Sequence, residues 1–374
     1  MPKRLSRRFK AHRTGSSKAA VTVHRDGVAA ERTWTPTVQD CTRAFRATSA
    51  MASLAGNGSA DAKQFGLNDL LARAFNYHHT GDFEMARRFY CRCIELEPDN
   101  FDVQVVYGEF LAEVGDVEEA KQIFADVCAR GRDAVNPSVM LSLAQLQSGK
   151  DAVATFEQGI VRLQQLLQAG NGDSGELKSR IASAYCRVAE VYMTDLCFEP
   201  NAEQVCEASA KKALEYGGAD NIEALYCAAS VSLSQCKKNS AKEYIIKAAS
   251  VLERSAEMDQ EEVNDFDITY DLQLNVAKTL IEVGEPSKAN SILERLLLVN
   301  DTDIELLFVT GICYNAIQEF GTAKQYLVKS KDVINKLKNS GEDYGGMDLT
   351  SYLRQINHML GEVDASANAT KGAQ

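Results

Sequence analysis

From Leu67 onward apolar residues recur at helical spacing, interrupted by short turns. Leu70, Ala74 and Tyr77 share one face of a first helix, Gly81 breaks it, and Ala86, Tyr90 and Cys93 line a second helix that stops before Pro98. Shifted by 34 residues the pattern returns as Gly108, Leu111, Gly115, Ala120, Phe124 and Val127. It returns again as Ala277, Leu280, Gly284, Ala289, Leu293 and Leu296, and once more as Gly311, Tyr314, Ala323, Leu327 and Ser330. Between these pairs the pattern is degenerate. Residues 137–167 read as a third hairpin with a shortened turn at Gly149, 176–215 as a fourth whose turn is lengthened across Thr194 to Glu203, and 222–252 as a fifth. Residues 258–267 form an acidic linker, and Leu349, Leu353, Ile356 and Leu360 align on one face of a last helix over 347–363.

A 34-residue helix–turn–helix period with small residues at its eighth and twentieth positions is the signature of the tetratricopeptide (TPR) repeat. The small residues let the two helices of a hairpin approach closely, and the large ones fill the space between hairpins. Gly81, Gly115 and Gly284 supply the left-handed residue that ends a first helix, with Asp82 and Asp116 as N-caps of the helices that follow. The expected fold is all-α: a right-handed superhelical solenoid of about seven hairpins over residues 65–363, closed by a C-terminal capping helix. Residues 1–64 and 364–374 show no sustained periodicity and are expected to be disordered tails.

Charge changes this picture along the chain. The protein has 374 residues and a formal net charge of −11. Up to Arg46 there are 11 basic and 3 acidic residues; beyond it there are 30 basic and 49 acidic, a balance of −19. An acidic body repels nucleic acid and attracts basic partners. The basic tail has three functional readings, a nuclear-localisation cluster around Lys3, Arg4, Arg7, Arg8 and Lys10, an organelle transit peptide over residues 1–50, or a stretch upstream of a true start at Met51, beside the plain one of a solvated tail with no role. Localisation is accordingly expected to be cytoplasmic and nuclear, or organellar under the second reading. No apolar run reaches the roughly 20 residues of a membrane-spanning helix. The 10 cysteines include no C-x-x-C pair and read as reduced core residues of an intracellular protein.

Motifs for catalysis are missing from the sequence: there is no G-x-S-x-G, phosphate-binding loop or dinucleotide fingerprint. His78 and His79 point about 100° apart on a helix and cannot share one metal well. No enzyme, cofactor or metal is expected, and the molecule is expected to be a monomer. An array of hairpins presents a surface instead, and the first helix of each repeat lines the concave side. Repeat phase places Asp102, Glu109, Glu113, Glu190, Asp195, Glu223, Asp271, Glu282 and Glu305 outward on those helices, with Lys278 the one cation. Leu71, Phe75, Val105, Tyr226, Leu274 and Phe308 intersperse as apolar anchors, Phe75, Tyr226 and Phe308 supplying the aromatic part. Such a face suits an extended basic segment. TPR adaptors that clamp a chaperone's C-terminal carboxylate need Lys, Arg and Asn there, so an anionic peptide should be rejected.

The stretch from Ala189 to Cys206, AEVYMTDLCFEPNAEQVC, resembles a signature of one TPR family, the dedicated assembly chaperones of ribosomal protein L-four of the large subunit. The flank Leu143-Ala-Gln-Leu-Gln-Ser-Gly149 agrees, and the resemblance covers Leu67 to Leu360. It implies a non-enzymatic protein that holds the long basic internal loop of newly made L-four, shields it from aggregation and releases it at the nascent large subunit, without contacting nucleic acid or membrane. The basic N-terminal extension is not part of that family's pattern. A generic TPR scaffold, or an organelle-imported TPR protein, is the alternative.

Overall fold

The computed structural model describes residues 65–131, 136–257, 268–340 and 348–372. They fold into seven helical hairpins and a final helix, with no strand among them. The hairpins are α1 (Leu67–His79) with α2 (Phe83–Leu96), α3 (Phe101–Val114) with α4 (Val117–Gly131), α5 (Pro137–Leu146) with α6 (Gly149–Ala169), α7 (Ser174–Met193) with α8 (Ala202–Gly217), α9 (Ile222–Ser234) with α10 (Lys238–Glu257), α11 (Tyr270–Val283) with α12 (Pro286–Val299), and α13 (Ile304–Ala316) with α14 (Phe320–Ser340). α15 (Leu349–Gly372) follows. No helix among the described residues is long and apolar enough to cross a membrane. The expected basic tail, residues 1–64, and the acidic linker, residues 258–267, lie outside the described residues.

The described residues form two compact units, those up to Asn171 and those from Gly172 onward. In the first, Tyr90, Phe110 and Phe124 form the aromatic centre of the core, each almost fully buried. In the second, Leu225, Ile245, Leu252, Leu280, Ile292 and Leu293 play the same part. Small residues act as the period requires. A β-carbon on Gly108 would stand 2.7 Å from the Phe124 ring, and one on Gly311 would stand 2.6 Å from Leu327. Neither site has room for a side chain.

The turns repeat one device. Gly81, Gly115 and Gly284 have φ of 80°, 95° and 88°. In each turn the residue after the glycine donates its N–H five residues back, as from Asp82 to the Tyr77 carbonyl, Asp116 to Leu111 and Glu285 to Leu280. This is the Schellman arrangement, which needs a left-handed residue at the helix end. Hairpins five and seven use it without glycine. Cys236 (φ 62°) and Gln318 (φ 68°) take the left-handed slot, followed by the same bonds from Lys237 to Ser232 and Glu319 to Tyr314. An L-residue with a β-carbon pays roughly 1–2 kcal/mol there. Gln318→Gly should therefore stabilise the chain by about 0.5–1 kcal/mol, after the extra entropy glycine loses on folding, read as a higher urea midpoint. A lower midpoint would mean that contacts of the Gln318 side chain outweigh the strain.

Of the two expected N-caps, Asp82 accepts the Met85 N–H at 3.2 Å. The Asp116 carboxylate instead engages Arg87 of the preceding hairpin at 2.5 Å. The expected capping helix is present but longer than its apolar stripe. Leu349, Ile356 and Val363 are buried against Ala323, Leu327 and Ile334. Instead of the disordered tail expected from residue 364, the helix runs on to Gly372. Asp364 pairs with Lys324 at 2.7 Å, and Ala365, Ala367 and Ala369 lend the helical propensity that the absence of large apolar residues conceals.

The nine described cysteines are free, and Cys93, Cys186, Cys206, Cys227 and Cys313 are buried. Burial pushes the thiols of Cys93 and Cys313 up to about 11 and that of Cys206 up to about 12. They stay protonated at neutral pH and pack as small apolar groups.

Candidate functional site

In the first unit the predicted positions sit on α1 and α3. Asp102, in the first turn of α3, is exposed. Glu113, near the end of α3, is half-buried and lies 3.1 Å from Nε2 of His78 on α1. His78 in turn stands edge-on to Phe110, with ring centroids 5.1 Å apart, and 6.5 Å from half-buried Phe75. Glu109 departs from the prediction: it is 4 % exposed and does not present its carboxylate outward. Five consecutive residues of α3, Tyr107 to Leu111, are buried. A helix covered on several sides has no single outward stripe, so repeat phase assigns its faces poorly.

In the second unit, Glu190 near the end of α7 and Glu223 in the first turn of α9 converge on one guanidinium. Arg187 reaches Glu190 at 3.0 Å and Glu223 at 3.3 Å. Glu223 first, and Glu190 after it, hold the Arg187 charge more firmly than usual. Tyr226, one turn along α9, is half-buried beside this group, and burial pushes its phenol up. Asp195 is exposed just past the end of α7.

Further along, Lys278 on α11 meets Glu305 on α13 at 2.5 Å. Exposed Asp271 and the Asp303 carboxylate, which caps α13 by accepting the Leu306 N–H at 2.7 Å, belong to the same neighbourhood. Burial first, then Asp303, Asp271 and Glu305, keeps Tyr270 protonated. Burial first, then Glu305 and Asp303, pushes Tyr352 of α15 up to about 12. Phe308 packs edge-on to Tyr352 at 6.3 Å. Acid and aromatic groups are thus interleaved here, and repeat phase anticipated Asp271, Glu305 and Phe308 but neither Tyr270 nor Tyr352. Glu282 is exposed on α11.

The long turn between α7 and α8 is ordered by backbone bonds, including Leu196 N–H to the Val191 carbonyl at 3.0 Å and Glu199 N–H to Leu196 at 2.9 Å. Leu196 is buried, whereas Phe198 is 75 % exposed. The insertion therefore braces the hairpin through Leu196 and shows Phe198 to solvent. Among the described residues no group of three or more His, Cys, Asp or Glu side chains is placed to hold a metal ion.

The arrangement is one of carboxylates on several first helices, and one pair, Glu190 and Glu223, is close enough to share one cation. The partners Arg187 and His78 were the part that sequence reasoning missed. They lie one hairpin before Glu223 and Glu113, and only the offset of 36 and 35 residues hints at these contacts in the sequence.

Residues 70–100 match a family model described as tetratricopeptide repeat. A curated protein of Schizosaccharomyces pombe, "Probable assembly chaperone of rpl4", is 33 % identical over 230 residues, covering 59 % of this chain and 67 % of that protein. A protein of the same name from Emericella nidulans is 25 % identical over 274 residues, covering 68 % of this chain and 66 % of the relative. The chain thus spans about two thirds of the length of these relatives. A solved structure titled "Assembly Chaperone of RpL4 (Acl4) (Residues 1-338)" matches 68 % of this chain and 98 % of its own length, with 25 % identity and a TM-score of 0.56. The hairpin array, its first-helix carboxylates and the extent of these matches lead to one assignment: the chain belongs to the family of assembly chaperones of ribosomal protein L-four.

Proposed function

We propose that this protein is a non-enzymatic, dedicated holder of newly made ribosomal protein L-four. It binds the basic internal loop of that client through the acidic first-helix positions, protects it from aggregation and delivers it to the assembling large subunit. Family membership supports the client. The observation that carries the mode of binding is the convergence of Glu190 and Glu223, from successive hairpins, on a single guanidinium at 3.0 and 3.3 Å. Two carboxylates set at that spacing suit an arginine of an extended chain as well as they suit Arg187. Half-buried Tyr226 beside them adds apolar contact and a π face for the cation.

The client loop is long, rich in Lys and Arg, and lacks a fold without ribosomal RNA. Free, it would adhere to any polyanion. The chaperone offers negative charge at lower density than RNA, so capture is fast and screened by salt. Handover follows because RNA releases more counterions on binding the same cations. Loading in the cytoplasm and release in the nucleus fit this sequence of events, with the protein acting as a monomer.

Isothermal titration of the full chain with a synthetic L-four loop peptide tests the reading. The expected result is a dissociation constant that rises at least about tenfold between low salt and roughly 0.5 M salt, where the screening length falls to a few ångströms. No binding at any salt would remove the reading and leave a TPR scaffold for another partner.

A further inference from the structure

Four of the nine predicted client carboxylates are half-buried: Glu113, Glu190, Glu223 and Glu305. Glu190, Glu223 and Glu305 each carry a cation of the protein itself, and Glu113 carries a histidine. In three cases that partner comes from the first helix one hairpin earlier: His78 of α1 meets Glu113 of α3 at 3.1 Å, Arg187 of α7 meets Glu223 of α9 at 3.3 Å, and Lys278 of α11 meets Glu305 of α13 at 2.5 Å. The same kind of link therefore recurs at three separate places, and at two of them it is an arginine or lysine ion pair. Partners on the second helices do not explain this, because both ends of each bridge lie on first helices.

We infer that Arg187 and Lys278 are placeholders for client cations, and that capture proceeds by exchanging the protein's own cation for an arginine or lysine of the client. This deepens the reading under Proposed function and rests on it for the identity of the client.

The chemistry favours exchange over addition. Glu190, Glu223 and Glu305 have their nearest cation already in place, so an arriving neutral segment gains nothing from them. Opening the bridges without replacement leaves like charges facing each other, Glu190 against Glu223. Only a segment that brings its own cations in register recovers the lost interaction. The displaced Arg187 and Lys278 side chains are long and partly exposed, so they can swing into water at little cost. Two consequences follow. The empty chaperone shows a less negative face than its sequence implies, which reduces attraction to unrelated basic chains. Closing of the bridges behind a departing client also favours release, since the acids are never left bare.

The test compares the full chain with its Arg187→Ala/Lys278→Ala variant by titration with two probes, the synthetic L-four loop peptide and oligolysine, at low and moderate salt. The placeholder role predicts that the variant binds the loop peptide about three- to tenfold more tightly. It also predicts a larger gain for oligolysine, so that discrimination between the two probes shrinks. Arg187→Lys, which keeps a cation at the bridge, should leave both affinities within about twofold of wild type. Equal or weaker binding of both probes by a variant that melts normally would overturn the inference and make the bridges purely structural. If the double variant melts early, Lys278→Ala alone decides, since it opens the Glu305 bridge and leaves the Glu190–Arg187–Glu223 group intact. Absence of wild-type binding to the loop peptide would remove the client assignment instead, and the oligolysine comparison would still judge the exchange.

Discussion

Reversing Glu190, Glu223 and Glu305 to lysine should weaken binding of the L-four loop by roughly a hundredfold or more. Each reversal removes an attraction and adds a repulsion of similar size. At about 0.5 kcal/mol for each half, a figure for partly exposed charges, three sites give about 3 kcal/mol, or two decades in affinity. Arg187 and Lys278 would lose their partners and add to the cationic face. The carboxylates lie at the surface of α7, α9 and α13, so the helices should persist, and an unchanged far-ultraviolet dichroism spectrum would confirm it. A folded triple variant with wild-type affinity would sink the acidic-face mechanism. Glu109 is left out of this set deliberately. At 4 % exposure, a lysine there would carry charge into the core and report on folding rather than on binding.

The second large effect concerns the core of the first unit. Phe124 on α4 is fully buried, and its ring fills the space over Gly108 on α3. Phe124→Ala should cost about 3–5 kcal/mol, from lost burial and the cavity left behind. Native-state hydrogen exchange of the α3 and α4 amides would show protection lower by about two to three and a half decades. Gly108→Ala should cost about 1–3 kcal/mol by the opposite mechanism, since its new methyl meets the ring at 2.7 Å. Combined, the two changes should cost clearly less than their sum, because a missing ring cannot clash with the methyl. Strict additivity would mean that the glycine is required for some reason other than this ring.

Most of the hairpins were legible in the sequence, and the reason is local. The contacts that define a TPR hairpin, such as Gly108 under Phe124 or Gly311 under Leu327, join residues 16 positions apart within one repeat. They leave a periodic trace of small and large residues. Where the left-handed turn residue is glycine the trace is plain. At Cys236 and Gln318 it is silent, because there the packing of the hairpin imposes the conformation and the residue bears the strain. The extension of α15 to Gly372 was hidden for a related reason: alanine propensity and one ion pair from Asp364 leave no apolar stripe.

The candidate site was legible as a list of positions and not as a set of interactions. Repeat phase set Glu190, Glu223 and Glu305 on first helices, and they lie on α7, α9 and α13; Glu109 is buried instead of outward, since α3 is covered on more than one side. The aromatic members Tyr270 and Tyr352 escaped notice because one begins a helix and the other belongs to the cap, outside the regular period.

The sequence by itself determined the all-α class, the number of hairpins, their small-residue contacts and the acidic character of the body, because each of these follows from short-range spacing and composition. Only the tertiary structure decided which acids face outward, which are buried and which already hold a cation. Those outcomes depend on side chains that stacking brings together from one hairpin to the next, as Arg187 is brought to Glu223 and Lys278 to Glu305, and no period along a single helix records them.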